Sequence, residues 1–370
     1  MEGEHLDALP IPAVKGRGAG LNPGNRFERV RLSVLGEFLD EEVAERYREG
    51  LPAEQQVPTT VFRDATRTII NRVDSPDLNF RWTLNPYRGC EHGCVYCYAR
   101  PTHETLGFSC GLDFETKIVA KMEAPQMLAR ELDAPGWKGE TIGMSGVTDC
   151  YQPIERRLRV TRGCLEVMGE RNQPVFIVTK NRLVTRDIDV LSSLARVRAA
   201  GVAVSLTTLN ADVARKMEPR ASSPRDRLGA MRALADAGVP VVVMTAPIVP
   251  GLNDHEIPAL LKAAADSGAS GAGFVMLRLP YQIKAVFLDW LSREFPERAA
   301  RVESGVRAMR GGALNDARWG SRFRGEGVKA EQIKATFDLF RARYGLDRRG
   351  EGLSSAAFRK IGRDGPTLWD

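Results

Sequence analysis

Three cysteines, Cys90, Cys94 and Cys97, fall within eight residues of a 370-residue chain, while Cys110, Cys150 and Cys164 are scattered. A chain this long builds a core without cross-links, so thiols crowded in this way point to metal or redox chemistry rather than disulfides. Spacings of four and three let one loop wrap a face of an iron–sulfur cluster, with Gly89 and Gly93 free to take the tight turns. If no fourth protein ligand exists, one iron of a [4Fe–4S] cube stays open to coordinate another group. An open metal position is what separates a reactive site from a structural one. The competing reading is a Cys3His zinc site with His92 or His103 as fourth ligand.

The elements that must position this loop follow from the apolar runs. Six short segments, Phe80–Leu84, Thr141–Met144, Val175–Val178, Val202–Leu206, Val241–Met244 and Phe274–Leu277, read as strands. Amphipathic helical stretches lie between them. Ser223, Pro224 and Asp226 form an N-cap, an N1 proline and a capping-box acid. Asn253 with Glu256 and Thr185 open two further helices, the second closing at Gly201. Nearly continuous apolar strands alternating with helices imply a parallel sheet covered on both faces. A barrel, a part-barrel and an open doubly wound sheet share this pattern. No G-x-G-x-x-G follows a strand, which removes the main dinucleotide signature. The cysteine loop follows the first strand, on the rim where parallel α/β folds bind ligands.

C-x3-C-x-aromatic-C, here Cys90, Cys94, Tyr96 and Cys97, resembles the signature of the radical SAM superfamily. Val147–Glu155, Val178–Asn181, Ser205–Leu209, Glu218–Arg220 and Ala246–Asp254 are similar, in order, to the spore-photoproduct-lyase-type branch. Gly16–Pro23 and Asn25–Phe27 resemble an uncharacterised bacterial subfamily of that branch. The resemblance spans roughly residues 79–280. It implies a partial (β/α)6 TIM-type barrel of parallel strands, residues 76–300, with an irregular N-terminal extension, 1–75, and a basic C-terminal extension, 301–370.

It also implies an activity. Three thiolates hold a [4Fe–4S] cluster, S-adenosylmethionine (SAM) chelates the open iron, and reductive cleavage gives a 5′-deoxyadenosyl radical that takes hydrogen from a substrate. By the same resemblance Tyr96 packs against the adenine and Thr148 meets the methionine amino group, where many members instead carry Gly-Gly-Glu. Lys180 faces the methionine carboxylate, Ser205 a ribose hydroxyl, and the Ala246 backbone the adenine. Cys150, just past the second strand, is a candidate hydrogen donor to a product radical. The branch's donor cysteine falls where this chain has Gly146, and a buried packing role fits Cys150 equally. A one-electron donor of flavodoxin or ferredoxin type is implied.

Composition narrows the rest. Hydrophobic residues are 43% and charged residues 27%, the balance of a globular chain. The N-terminus lacks a secretory pattern and the apolar runs are too short and Pro-broken to cross a bilayer, so the expectation is a cytoplasmic protein with no membrane partner. Residues 301–370 carry 15 Lys and Arg against 9 Asp and Glu, the whole of the net charge of +6. A basic segment on a neutral body fits either a DNA or RNA substrate or a solvated surface. Two functions therefore compete: a radical SAM enzyme of lyase or transferase type acting on a nucleic-acid base, and a zinc-stabilised, non-catalytic nucleic-acid-binding protein. A scaffold that binds a cluster but not SAM is a third.

Overall fold

The computed structural model describes residues 16–26, 58–347 and 352–361. Residues 1–15 and 27–57, most of the stretch read as an irregular arm and including Phe27, lie outside the described residues, as do 348–351 and 362–370. Two strands, β1 (Thr60–Arg63) and β2 (Ile70–Arg72), fall inside that arm. At four and three residues they are too short for alternation to show in the sequence.

The six expected strands all form. β3 (Trp82–Leu84) leads into the two-residue β4 (Tyr87–Arg88), which pairs with β5 (Lys117–Ala120) and through it with β1. The principal sheet continues from β3 through β6 (Ile142–Met144), β7 (Val175–Thr179), β8 (Ala200–Ser205), β9 (Val241–Ile248) and β10 (Gly271–Met276). These six are parallel neighbours in chain order, and β2 adds one antiparallel edge beside β3. The order never reverses, so the sheet is not doubly wound. Its ends, β2 and β10, do not pair with each other. This is a part-barrel.

Every residue of β8 is buried, which is why its sequence, Ala-Gly-Val-Ala-Val-Ser, does not alternate. The covering helices include α1 (Ala124–Asp133), α2 (Val160–Arg171), α3 (Ile188–Arg196), α4 (Pro224–Asp236) and α5 (Ile257–Asp266). Leu128, Leu165, Leu191, Leu234 and Leu261 from these helices pack on Ile142, Ile177, Val202 and Val243 of the sheet in one continuous core. Each such fully buried side chain is worth about 1.5–3 kcal/mol.

The start of α4 is as expected, with Ser223 Oγ accepting the Asp226 amide at 3.2 Å. Two other helix starts differ. Asn181, not Thr185, caps the turn before α3, accepting from the Leu183 amide, and Gly201 lies in β8, paired with Phe176. Asn253 ties the loop after β9 together, accepting from the Val249 amide and donating to Thr207 and Pro247 carbonyls. Glu256 meanwhile accepts from Thr208 Oγ1 and the Leu209 amide.

The C-terminal residues cover the open edge. α6 (Ile283–Glu294) and α7 (Pro296–Ala308) close a second apolar core beside the cysteine loop, containing Val95, Tyr96, Leu277, Leu279, Phe287 and Trp290. α8 (Val328–Arg343) lays Phe337 against Phe274 of β10, centroids 4.6 Å apart, and Leu346 accepts from the Ala272 amide. Among the described residues, no helix is long and apolar enough to cross a membrane.

Candidate active site

The cysteine loop leaves β4 through Gly89 and turns again at Gly93, with φ of 77° and 68°. Its outer face is clamped by a buried ion pair. Arg100 donates to Glu115 at 2.5 Å, to the Cys94 carbonyl at 3.0 Å and to the Gly111 carbonyl at 2.8 Å. Glu115 also accepts the amides of Gly18 and Ala19 at 3.0 and 2.9 Å, pulling the 16–26 strap onto the loop. The contact is close: a Cβ on Gly18 would stand 2.0 Å from the Gly93 carbonyl oxygen. Gly18→Ala is therefore expected to lower stability by about 1–3 kcal/mol and to speed loss of the cluster in air. Denaturation and visible absorbance check it; an unchanged variant would mean the strap moves away freely.

The inner face is braced by side chains from the segment after β6. Thr148 Oγ1 donates to the Gly89 carbonyl at 2.7 Å and accepts from Gln152 Nε2 at 3.1 Å, while Gln152 Oε1 takes the Glu91 amide at 2.8 Å. The Thr148 hydroxyl thus holds the cysteine turn and keeps one lone pair to accept a further N–H. Cys94 and Cys97 lie close enough to Cys90 to disfavour its ionisation, and Cys97 does the same to Cys94. Burial is the larger effect, raising Cys90 well above the usual thiol range and Cys94 to about 12.

A second group gathers behind Tyr96. Its hydroxyl donates to Glu218, which also accepts from Thr207 Oγ1 at 2.6 Å and pairs with Arg227. Arg227 donates in turn to the Ser205 carbonyl at 3.1 Å, and Ser205 Oγ donates to the Ala246 carbonyl at 3.2 Å. One buried network therefore joins Tyr96, Ser205 and Ala246. Lys180 completes the group, its Nζ 5.9 Å from the Tyr96 ring centroid and without a hydrogen bond to any described residue. Burial works against its charge, but Cys94, Glu218 and Asp149 outweigh burial and raise its pKa.

Asp149 anchors the Lys180 backbone, accepting its amide at 2.8 Å. Burial opposes its charge, but His92 and the Lys180 and Tyr151 amides hold Asp149 down to about 2. Asn181 presents its Nδ2 to His92 Nε2 at 3.2 Å, since its Oδ1 already accepts from the Leu183 amide and Ser222 Oγ. Nε2 is then the acceptor, and Nδ1 carries the proton toward Asp149 at 3.3 Å.

Cys150 is not on the mouth. Ser145, at φ 80°, turns the chain back and accepts the Cys150 amide, so the thiol is fully buried in the principal core. Burial and the adjacent Asp149 raise its pKa well above the usual range. Cys110 and Cys164 are likewise fully buried.

A family model described as the radical SAM superfamily matches residues 84–264. An uncharacterised protein of Mycobacterium tuberculosis is 36% identical over 238 residues, covering 64% of this chain and 70% of the relative. An uncharacterised protein of Methanocaldococcus jannaschii is 28% identical over 176 residues, covering 48% of this chain and 63% of its own length. The chain belongs to the radical SAM superfamily. Among solved structures, a mutant of spore photoproduct lyase superposes with a TM-score of 0.56 at 18% identity, covering 82% of this chain and 91% of that one. The same lyase complexed with dinucleoside spore photoproduct gives 0.55 at 17% identity, over 83% and 92%. These likenesses are to the fold.

The cofactors of this radical SAM enzyme are a [4Fe–4S] cluster and SAM. The donor set fits the cluster: three thiols on one loop, Cys90 and Cys94 buried and Cys97 half-buried, which give up their protons on binding iron. The zinc reading gives way. The family match favours the cluster, and His92 has both ring nitrogens engaged while His103 lies against Phe108 and Phe114.

Two residues at the mouth carried no sequence signal as a pair. Tyr98, one residue past Cys97, is 47% exposed and donates to the Gly146 carbonyl at 2.7 Å. Arg278, just past β10, stacks on it with Cζ 4.4 Å from the ring centroid. Glu218 and Arg227 were equally silent, although Glu218 sits in one of the motifs that carry the family resemblance.

Proposed function

We propose that this radical SAM enzyme cleaves SAM reductively and directs the resulting radical at a nucleic-acid base, as a lyase or modifying enzyme. When bound, the reduced cluster and SAM supply homolysis of the sulfonium, giving methionine and a 5′-deoxyadenosyl radical. The observation that carries the reading is Lys180: a charged ammonium held between the cysteine loop and the Tyr96 network, with no hydrogen bond or ion pair of its own among the described residues. Such a group is suited to a carboxylate, and the methionine carboxylate of SAM is the one this site must hold.

The other roles follow from position. Tyr96, fixed by Glu218, offers its ring face to the adenine. Ser205 and the Ala246 backbone lie together at the ends of β8 and β9, where a ribose hydroxyl and the adenine edge would be met. Thr148 holds the cysteine turn and through it the cluster. Cys150 is left as a packing residue. A flavodoxin- or ferredoxin-type protein supplies the electron. The nucleic-acid substrate is supported by the charge excess of residues 301–370 and by likeness of fold to a lyase complexed with a dinucleoside photoproduct.

Anaerobic reconstitution with reductant and SAM should yield 5′-deoxyadenosine, and a nucleic-acid substrate should raise that yield. No 5′-deoxyadenosine from protein with a full cluster would reject the reading. Lys180→Ala should weaken SAM binding about tenfold or more, as loss of a charge-assisted hydrogen bond does, with iron and sulfide unchanged. Equilibrium dialysis against labelled SAM measures it, and wild-type affinity would remove Lys180 from the seat.

A further inference from the structure

Arg278 stands at the end of the last barrel strand with its guanidinium between two rings, 4.4 Å from the Tyr98 centroid and 5.2 Å from that of Phe323. It makes no hydrogen bond or ion pair with any described residue. Asp77, the acid whose charge reaches it, is occupied by Arg322 Nε at 2.6 Å and the Gly320 amide at 2.8 Å. The stack continues outward: Arg322 lies 4.7 Å from Phe323 and 3.9 Å from Trp319, which is 53% exposed. Arg310 fixes this ladder to the barrel by donating to the Leu277 and Ser321 carbonyls.

The result is a run of alternating rings and guanidinium groups, Tyr98–Arg278–Phe323–Arg322–Trp319, leading from the residue after Cys97 to the surface. A guanidinium held between two rings with its N–H donors unspent is built for a planar or tetrahedral oxyanion. Exposed rings beside it offer faces to unstacked bases. Neither a carboxylate substrate nor a lone phosphate makes use of the rings, whereas a single nucleic-acid strand uses both. We infer that Arg278 holds a backbone phosphodiester of a single strand, or of a strand opened at one base, while Trp319 stacks a neighbouring base. This rests on the nucleic-acid reading above and assigns residues to it; Lys180 remains the residue for SAM.

The test uses the reconstituted holoenzyme with SAM under anaerobic conditions. A fluorescein-labelled single-stranded deoxynucleotide 12-mer is titrated by anisotropy, beside the same sequence with a neutral methylphosphonate backbone and beside thymidine 5′-monophosphate as competitor. The wild type should bind the charged strand, more weakly as salt rises, and the neutral strand poorly. Arg278→Gln should lose about tenfold in affinity for the charged strand and most of the discrimination against the neutral one, and Trp319→Ala should weaken both strands alike. Iron, sulfide and SAM binding should stay at wild-type values in both variants. Equal strand binding by Arg278→Gln, or no salt-dependent binding by the wild type, overturns the assignment. So does loss of SAM binding in Arg278→Gln, or a mononucleotide that competes as tightly as the strand. Strand binding that fails while SAM is still cleaved rejects this inference and leaves the radical SAM reading standing; a holoenzyme that cleaves no SAM rejects the latter.

Discussion

Replacing Cys90, Cys94 and Cys97 together by Ala is expected to leave a folded, colourless protein that takes up neither iron nor sulfide, while Cys150→Ala stays brown and keeps its full complement. The contrast separates ligand from packing among thiols that are buried or, at Cys97, half-buried. The triad thiols share one loop, so iron bound there can take all three as thiolates, the metal displacing their protons. Cys150 faces Tyr87, Tyr151 and other core side chains, with the Asp149 charge raising its pKa further. Its removal should cost about 1 kcal/mol, the price of a small core cavity. Iron and sulfide assays with anaerobic visible spectra check both halves. Cluster retained by the triple variant would contradict the ligand assignment; cluster lost by Cys150→Ala would bring that thiol back to the centre.

What could be read from the chain alone was whatever is local. The six barrel strands announce themselves as short apolar runs, and runs such as Val241–Met244 need no partner to be recognised. The cysteine loop is equally local, its meaning carried by spacing. Contacts between distant segments were silent. Tyr96 and Glu218 are 122 residues apart, and Gly18 and Glu115 are 97 apart. Arg278 meets Tyr98 only because β10 and the cysteine loop end at the same mouth. For Cys150 the sequence left two readings open, hydrogen donor or packing residue, and its full burial in the principal core fits the second. Thr148 is found for its hydroxyl, but the bond that hydroxyl makes to the Gly89 carbonyl, across 59 residues, is not legible in the sequence.

The largest stability effect is expected at the network behind Tyr96. Arg227 and Glu218 are both buried, and each supports the other's charge: against the cost of burial, Glu218 is held below its ordinary value of 4.5 by Arg227 first and Lys180 second. Removing one member leaves an uncompensated charge in the interior, which costs about 3–5 kcal/mol, a large part of the stability of an ordinary domain. Arg227→Met should therefore lower the unfolding free energy by about that amount at pH 7. The double variant Arg227→Met/Glu218→Gln should recover part of it, since no buried carboxylate is then left bare.

The pH dependence gives the sign. In the wild type, Glu218 contributes stability above the unfolded value near 4.5, and that contribution is lost as pH falls through its lower folded value. Without Arg227, burial dominates and the folded carboxyl titrates above 4.5. Its penalty is then greatest at neutral pH and shrinks as acid protonates it. Urea titrations from pH 7 down to about pH 4.5 should show wild type and Arg227→Met converging. A gap that stays constant over that range would mean the loss comes from the Ser205 and Ser222 carbonyls that Arg227 also serves, not from the stranded charge. Because the same carboxylate fixes the Tyr96 hydroxyl, the variant should also bind SAM more weakly at pH values where it is still folded, tying the stability of the barrel mouth to the seat it forms.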